Sequence, residues 1–126
     1  MFLGCITDKQ SAESNFLTAK SWLLESTEIQ RDGKWVIEAQ DDCKKDNIYE
    51  FRKNGTFVIL SGPQKCTAGD PDELTSGIWK ITNDGSRLIA KVSASNRDLD
   101  IVELNSKAMV LTLERNGQQI RERYKH

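Results

Sequence analysis

The stretch Asn47-Ile48-Tyr49-Glu50-Phe51-Arg52-Lys53-Asn54-Gly55-Thr56-Phe57-Val58-Ile59-Leu60-Ser61 decides the fold class. Tyr49 and Phe51 fall on one face of an extended run, with Ile48, Glu50 and Arg52 on the other. That two-residue period marks a half-buried strand. Asn54-Gly55 follows at once, and Asn and Gly tolerate the positive φ that a tight hairpin demands. A second β-rich run starts at Thr56, so the segment predicts an antiparallel hairpin.

The same grammar extends in both directions. Asp32-Gly33, Asp84-Gly85 and Asn116-Gly117 are further Asx-Gly pairs, and Asn105-Ser106-Lys107 is another tight-turn candidate. Between them lie β-rich runs at 21–28, 34–38, 47–52, 56–61, 76–82, 87–93, 98–105, 108–114 and 119–124. Trp79 and Ile81 share a face, as do Leu88, Ala90 and Val92, and also Met109, Leu111 and Leu113. Residues 14–19 predict a short helical turn, with Ser14 or Asn15 as the cap. Short strands joined by sequential hairpins form a meander, and closing a meander removes its exposed edges. The predicted fold is therefore all-β: an up-and-down antiparallel barrel of about eight or nine strands.

The chain has 126 residues and a formal net charge of −1. One core is feasible at this size. The charge balance gives no basic patch for nucleic acid, and no apolar run reaches the ~20 residues of a membrane helix. Two domain segments are expected: 1–16 as a leader remnant and tether, and 17–126 as the barrel. Met1-Phe2-Leu3-Gly4-Cys5 reads like the tail of a secretory signal, and Phe2-Leu3-Gly4-Cys5 resembles a bacterial lipobox, which makes Cys5 the candidate acylation site. The plain alternative is an ordinary N-terminus with an unmodified thiol. Residues 6–14 are polar and suit a tether.

Cys43 and Cys66 sit in the long connections 39–46 and 62–75. In an up-and-down barrel alternate connections emerge at the same end, and these two are separated by a single hairpin. A Cys43–Cys66 disulfide is then geometrically natural, subject to Cα atoms within about 7 Å. It would add roughly 3 kcal/mol in the chain-entropy model and needs an oxidising compartment. The alternative is two unpaired thiols in a cytosolic chain. By the same reasoning, one barrel end carries the turns at 32–33, 54–55, 84–85 and 105–107. The other carries both long loops and the 93–97 connection, and is the natural mouth.

In order, Cys43-Lys44-Lys45-Asp46-Asn47, the aromatic strand, Asn54-Gly55-Thr56-Phe57, Cys66, Gly77-Ile78-Trp79, Asp84-Gly85 and the run 108–113 resemble the lipocalin-like domains of small bacterial lipoproteins, over about residues 17–125. The resemblance implies the barrel, export to the periplasm, outer membrane or cell surface, and a lipid anchor. It implies no particular ligand. Lys20-Ser21-Trp22 keeps the Trp of the lipocalin G-x-W without its Gly. Fatty-acid-binding barrels hold a carboxylate with Arg-x-Tyr near the end; here Glu122 stands two before Tyr124, so that role is not carried over.

Trp22, Leu24, Tyr49, Phe51, Phe57, Ile59, Trp79, Ile81, Leu88, Met109, Leu111, Leu113 and Tyr124 are expected to face inward, as core or as cavity lining. Nucleophilic catalysis needs a base beside the nucleophile. The only histidine is the last residue, His126, read as a loose end, so no enzyme is expected. No zinc spacing is present, and no cofactor is expected. The acidic runs Asp41-Asp42, Asp70-Pro71-Asp72-Glu73 and Asp98-Leu99-Asp100 read as solvated loops, with a surface calcium as the alternative. Arg121, Arg123 and Lys125 share one face of the last strand, either solvated or turned in toward an anionic ligand. Glu122 then lies on the otherwise apolar face. The expected function is binding of a small apolar or amphiphilic molecule by a monomer. The alternative is a filled barrel that contacts a protein or envelope partner through its long loops.

Overall fold

The computed structural model describes residues 8–39, 46–69, 71–92 and 95–126. A helix, α1 (Asp8–Ala19), precedes nine strands: β1 (Trp22–Arg31), β2 (Lys34–Glu38), β3 (Ile48–Phe51), β4 (Thr56–Leu60), β5 (Glu73–Ile81), β6 (Arg87–Val92), β7 (Ser95–Leu104), β8 (Ala108–Arg115) and β9 (Gln118–Lys125). All pairings are antiparallel. Strand β1 pairs with β9 as well as with β3, so eight strands close a barrel and β2 is the extra one. The Asx-Gly turns are real: φ is positive at Asp32, Gly33, Gly55, Gly85, Asn116 and Gly117.

β2 and β3 lie on the same edge of β1 and run in the same direction. Thr27 of β1 faces Glu38 of β2, while Leu23 faces Ile48 of β3. They are two halves of one strand, interrupted by the excursion 39–47. This changes the expected parity of the ends. The turns at 54–55, 84–85 and 105–107 share one end with the start of β1. Asp32-Gly33, expected there too, lies at the opposite end with the long 61–72 connection and Asn116-Gly117.

The tight-turn end is covered by α1. The polar stretch read as a tether is helical from Asp8, and the expected turn at 14–19 is only its second half. Leu17 is fully buried in the barrel core. Gln10 Nε2 donates to Ile81 O at 2.8 Å, and Trp22 Nε1 donates to Leu17 O at 3.1 Å. The terminal His126, read as loose, packs against Trp22 with ring centroids 4.0 Å apart and planes tilted by 34°, and its Nδ1 is 2.9 Å from Ser21 O.

Period-two burial in β1 is interrupted once, at a bulge. Leu24 faces Tyr124 and Ser26 faces Arg123, leaving Glu25 as the extra residue. An extra residue inverts the inside–outside parity beyond it. Trp22 and Leu24 point inward before the bulge, Thr27 and Ile29 after it. Glu28 is thereby turned outward, opposite Arg121.

Candidate functional site

Every residue expected to face inward does so. Trp22, Leu24, Phe51, Phe57, Ile81, Leu88, Met109, Leu111 and Tyr124 are buried in one cluster, with Tyr49, Ile59, Trp79 and Leu113 packed against it. The aromatic rings form a connected series. Trp79 meets Phe51 edge-on at 6.2 Å, Phe51 stacks on Phe57 at 4.8 Å, and Phe57 lies 6.5 Å from Tyr49. Tyr49 meets Tyr124 edge-on at 5.3 Å, an arrangement in which ring quadrupoles attract.

The series ends on a polar network inside the barrel. Tyr124 Oη donates to Glu122 Oε1 at 2.8 Å. Arg97 Nη2 donates to Glu122 Oε1 at 3.0 Å and to Oε2 at 2.9 Å. Strands β7 and β9 are separated by β8, so this pair reaches over the inward face of β8. Glu122 faces Leu111, and Arg97 faces Ala90, both core residues. The Glu122 side chain is 12% exposed and that of Arg97 33%, so the network is sheltered but reached from outside.

The electrostatics are coupled. Burial pulls the Arg97 pKa down, but the charge and hydrogen bonds of Glu122 and the nearby Tyr124 hydroxyl outweigh it, and the net effect is upward. Burial raises the Tyr124 hydroxyl well above its ordinary value, and the Glu122 charge adds to this. Tyr49 is raised by burial, then by Glu122, with Arg97 opposing. Unpaired, either charge would be costly here; paired, they hold each other in place.

Arg97 is a functional candidate that sequence reasoning missed. The expected strand began at residue 98, whereas β7 starts at Ser95. The available signal was parity: Arg97 precedes the buried Leu99 by two residues and Ile101 by four.

The cations singled out on the last strand instead face outward. Arg121 Nε and Nη2 donate to Glu28 Oε1 and Oε2, both at 3.0 Å, and Arg123 Nε donates to Oε1 at 2.8 Å. The Arg121 guanidinium lies over the Trp35 ring at 4.2 Å, a cation–π contact. Lys125 Nζ is 3.9 Å from Glu25. Among the acidic runs, Asp98 and Asp100 pair with Arg87, and Asp72 with Lys65. Asp41, Asp42 and Asp70 lie outside the described residues, among which no metal-ligating cluster occurs.

Cys5 and Cys43 also lie outside the described residues. The segments flanking Cys43 and Cys66 do meet. Gln64 N donates to Asp46 Oδ2 at 2.7 Å, and a methyl group at Gly62 would overlap the Asp46 backbone. The long connection is tied across its neck by Ser61 N donating to Asp72 O at 2.6 Å.

No curated protein matches the chain. The family model described as "Lipocalin-like domain" matches residues 18–111, a stretch that holds Arg97 and ends before Glu122 and Tyr124. With that match and an eight-stranded closed barrel, the chain belongs to the lipocalin-like domain family.

Proposed function

We propose that this lipocalin-like barrel binds a small amphiphilic molecule, its apolar part against the inward aromatic side chains and its polar end at the Arg97–Glu122–Tyr124 network. The observation that carries the reading is the half-sheltered ion pair inside a mostly apolar barrel. A polar network placed among apolar walls orients a ligand whose bulk is held by burial, at roughly 25 cal/mol per Å² of apolar surface. The role is binding rather than catalysis. The barrel works as a monomer, in an exported protein anchored through acylated Cys5, with Cys43 and Cys66 bridged at the looped mouth. The Asp46–Gln64 contact between the cysteine-bearing segments supports that bridge.

A second reading is a filled barrel whose looped end meets a protein or envelope partner. It is favoured by the complete burial of Trp22, Leu17 and Met109 toward the helix-covered end. Titrating the protein with Nile red, an uncharged apolar dye, separates the two. Emission gain that lipid extracts reverse supports ligand binding. A flat titration sinks it and leaves the filled barrel. Mass spectrometry of the native protein tests the anchor and the bridge, through mass added at Cys5 and a Cys43–Cys66 cross-linked peptide.

A further inference from the structure

Among the described residues, β2 is the one strand with a single neighbour: one edge pairs with β1 and the other is open. It carries two adjacent apolar side chains in solvent, Val36 at 46% exposure and Ile37 at 70%. An open apolar edge is a template for a further strand. We propose that this strand is a second copy of the chain, two barrels associating reversibly through β2, antiparallel, about a two-fold axis at Val36.

The strand Lys34-Trp35-Val36-Ile37-Glu38 is its own complement in charge. Turned antiparallel about Val36, Lys34 falls opposite the partner's Glu38, and Glu38 opposite the partner's Lys34. Trp35 falls opposite the partner's Ile37, and exposed apolar surface is covered. Lys34 is exposed and makes no ion pair among the described residues. Glu38 Oε2 meets Arg115 at 3.3 Å, and a carboxylate has acceptor sites for a second cation.

The backbone agrees in phase. Asp32 and Gly33, both at positive φ, form a two-residue hairpin closed by Arg31 and Lys34. The closing pair of such a hairpin exchanges both N–H···O bonds, and bonded and non-bonded pairs alternate from there. Lys34, Val36 and Glu38 therefore turn their backbone groups toward β1. Trp35 and Ile37 turn theirs to the open side. The axis at Val36 sets Trp35 against the partner's Ile37, so every outward N–H and C=O of the two residues is matched. A strand of 5 residues makes a contact smaller than stable complexes need, so association is weak. The single binding barrel is the dilute state, and its interior is unchanged on pairing.

Sedimentation equilibrium of the full chain at pH 7 tests this. The mass should be that of one chain at about 10 μM and rise toward two chains by about 1 mM. Lys34→Glu and Glu38→Lys should each weaken association about tenfold, because like charges then face each other. Mixed in equal amounts, the two variants should regain it, because every facing pair is again of opposite sign. Ile37→Pro, which removes an outward N–H and leaves the bonds to β1, should abolish it. If a charge variant fails to fold by circular dichroism, Ile37→Lys replaces it and should weaken association about tenfold. A wild type that stays monomeric to about 1 mM overturns the pairing. So does association that these variants leave unchanged, or a mixture that fails to regain it. None of these outcomes bears on Nile red binding, so the ligand reading stands or falls separately.

Discussion

Trp22 Nε1 donates to the backbone carbonyl oxygen of Leu17 at 3.1 Å, and neither residue has any exposed surface. This bond joins the end of α1 to the first barrel strand across a chain separation of five residues. It satisfies one of the carbonyls that a helix C-terminus leaves without an intrahelical partner. Leu17 fills the barrel end while Trp22 forms its floor. Leu17→Ala should cost about 2–5 kcal/mol, as for other large-to-small core changes. Trp22→Phe should cost about 2–4 kcal/mol, through lost volume and a buried carbonyl without its donor. Urea denaturation checks both. If neither midpoint moves, the helix is not integral to the fold.

Glu28 sits on the outside of the barrel, yet its side chain is only 11% exposed, because Arg121 and Arg123 close over it. The hydrogen bond from Arg121 is the largest influence on its pKa; burial opposes it, and Arg123 adds to it, with a net lowering from 4.5. A depressed carboxyl stabilises the fold above its unfolded pKa, and that contribution is lost as pH falls through the lower folded value. Glu28→Gln should therefore cost about 1–3 kcal/mol at pH 7. The gap to wild type should narrow as pH falls below 4.5. Urea midpoints for both proteins from neutral to acid pH test this, and a gap independent of pH contradicts it.

The glycines separate into those that need to be glycine and those that do not. A methyl group at Gly77 would overlap the carbonyl oxygen of Lys91, and one at Gly62 would overlap the Asp46 backbone. Backbone cannot retreat cheaply, so Gly77→Ala and Gly62→Ala should each destabilise by about 1–3 kcal/mol or more. Among the described residues nothing lies within 4 Å of a methyl group placed at Gly69, and its φ is not positive. Gly69→Ala should be within about 0.5 kcal/mol of wild type. Thermal unfolding of the three variants is a direct comparison. A Gly62→Ala melting temperature equal to wild type would mean that the segments at 46 and 62 do not approach each other as described, and an equal value for Gly77→Ala would mean the same for β5 and β6.

Much of this was legible in the sequence, for identifiable reasons. Tight turns advertise themselves because Asn-Gly and Asp-Gly are among the few pairs that accept positive φ, and inward aromatics follow from parity within a strand. Three features were hidden. The helix α1, DKQSAESNFLTA, is polar at eight of its twelve positions and shows no apolar stripe; the burial of Leu17 and the hydrogen bond of Gln10 to the barrel explain where it sits. The interruption between β2 and β3 depends on pairing with the distant Leu23 and Thr27, which local pattern does not carry. Arg97 was hidden because a charged residue at a strand start reads as loop. Its partner Glu122, 25 residues on, was noticed as an oddity on an apolar face without its counter-charge.

The chain has two tyrosines, Tyr49 and Tyr124, and both belong to the interior network. That makes the phenol absorbance a clean reporter of the site. Burial raises both hydroxyls, Tyr124 the more, and the Glu122 charge pushes each further in the same direction. A raised pKa means the folded state keeps protons that the unfolded chain gives up near pH 10. The stabilisation is fully present below that value and disappears as pH rises through the folded pKa values. Tyrosinate absorbance should therefore stay low in the folded protein past the pH at which the guanidinium-unfolded chain titrates, and then rise together with loss of the β circular dichroism signal. In Glu122→Gln the Tyr49 rise should move to lower pH, because the repelling charge is gone. If both tyrosines titrate near 10 in the intact fold, they are open to solvent, and the sheltered network does not exist as drawn.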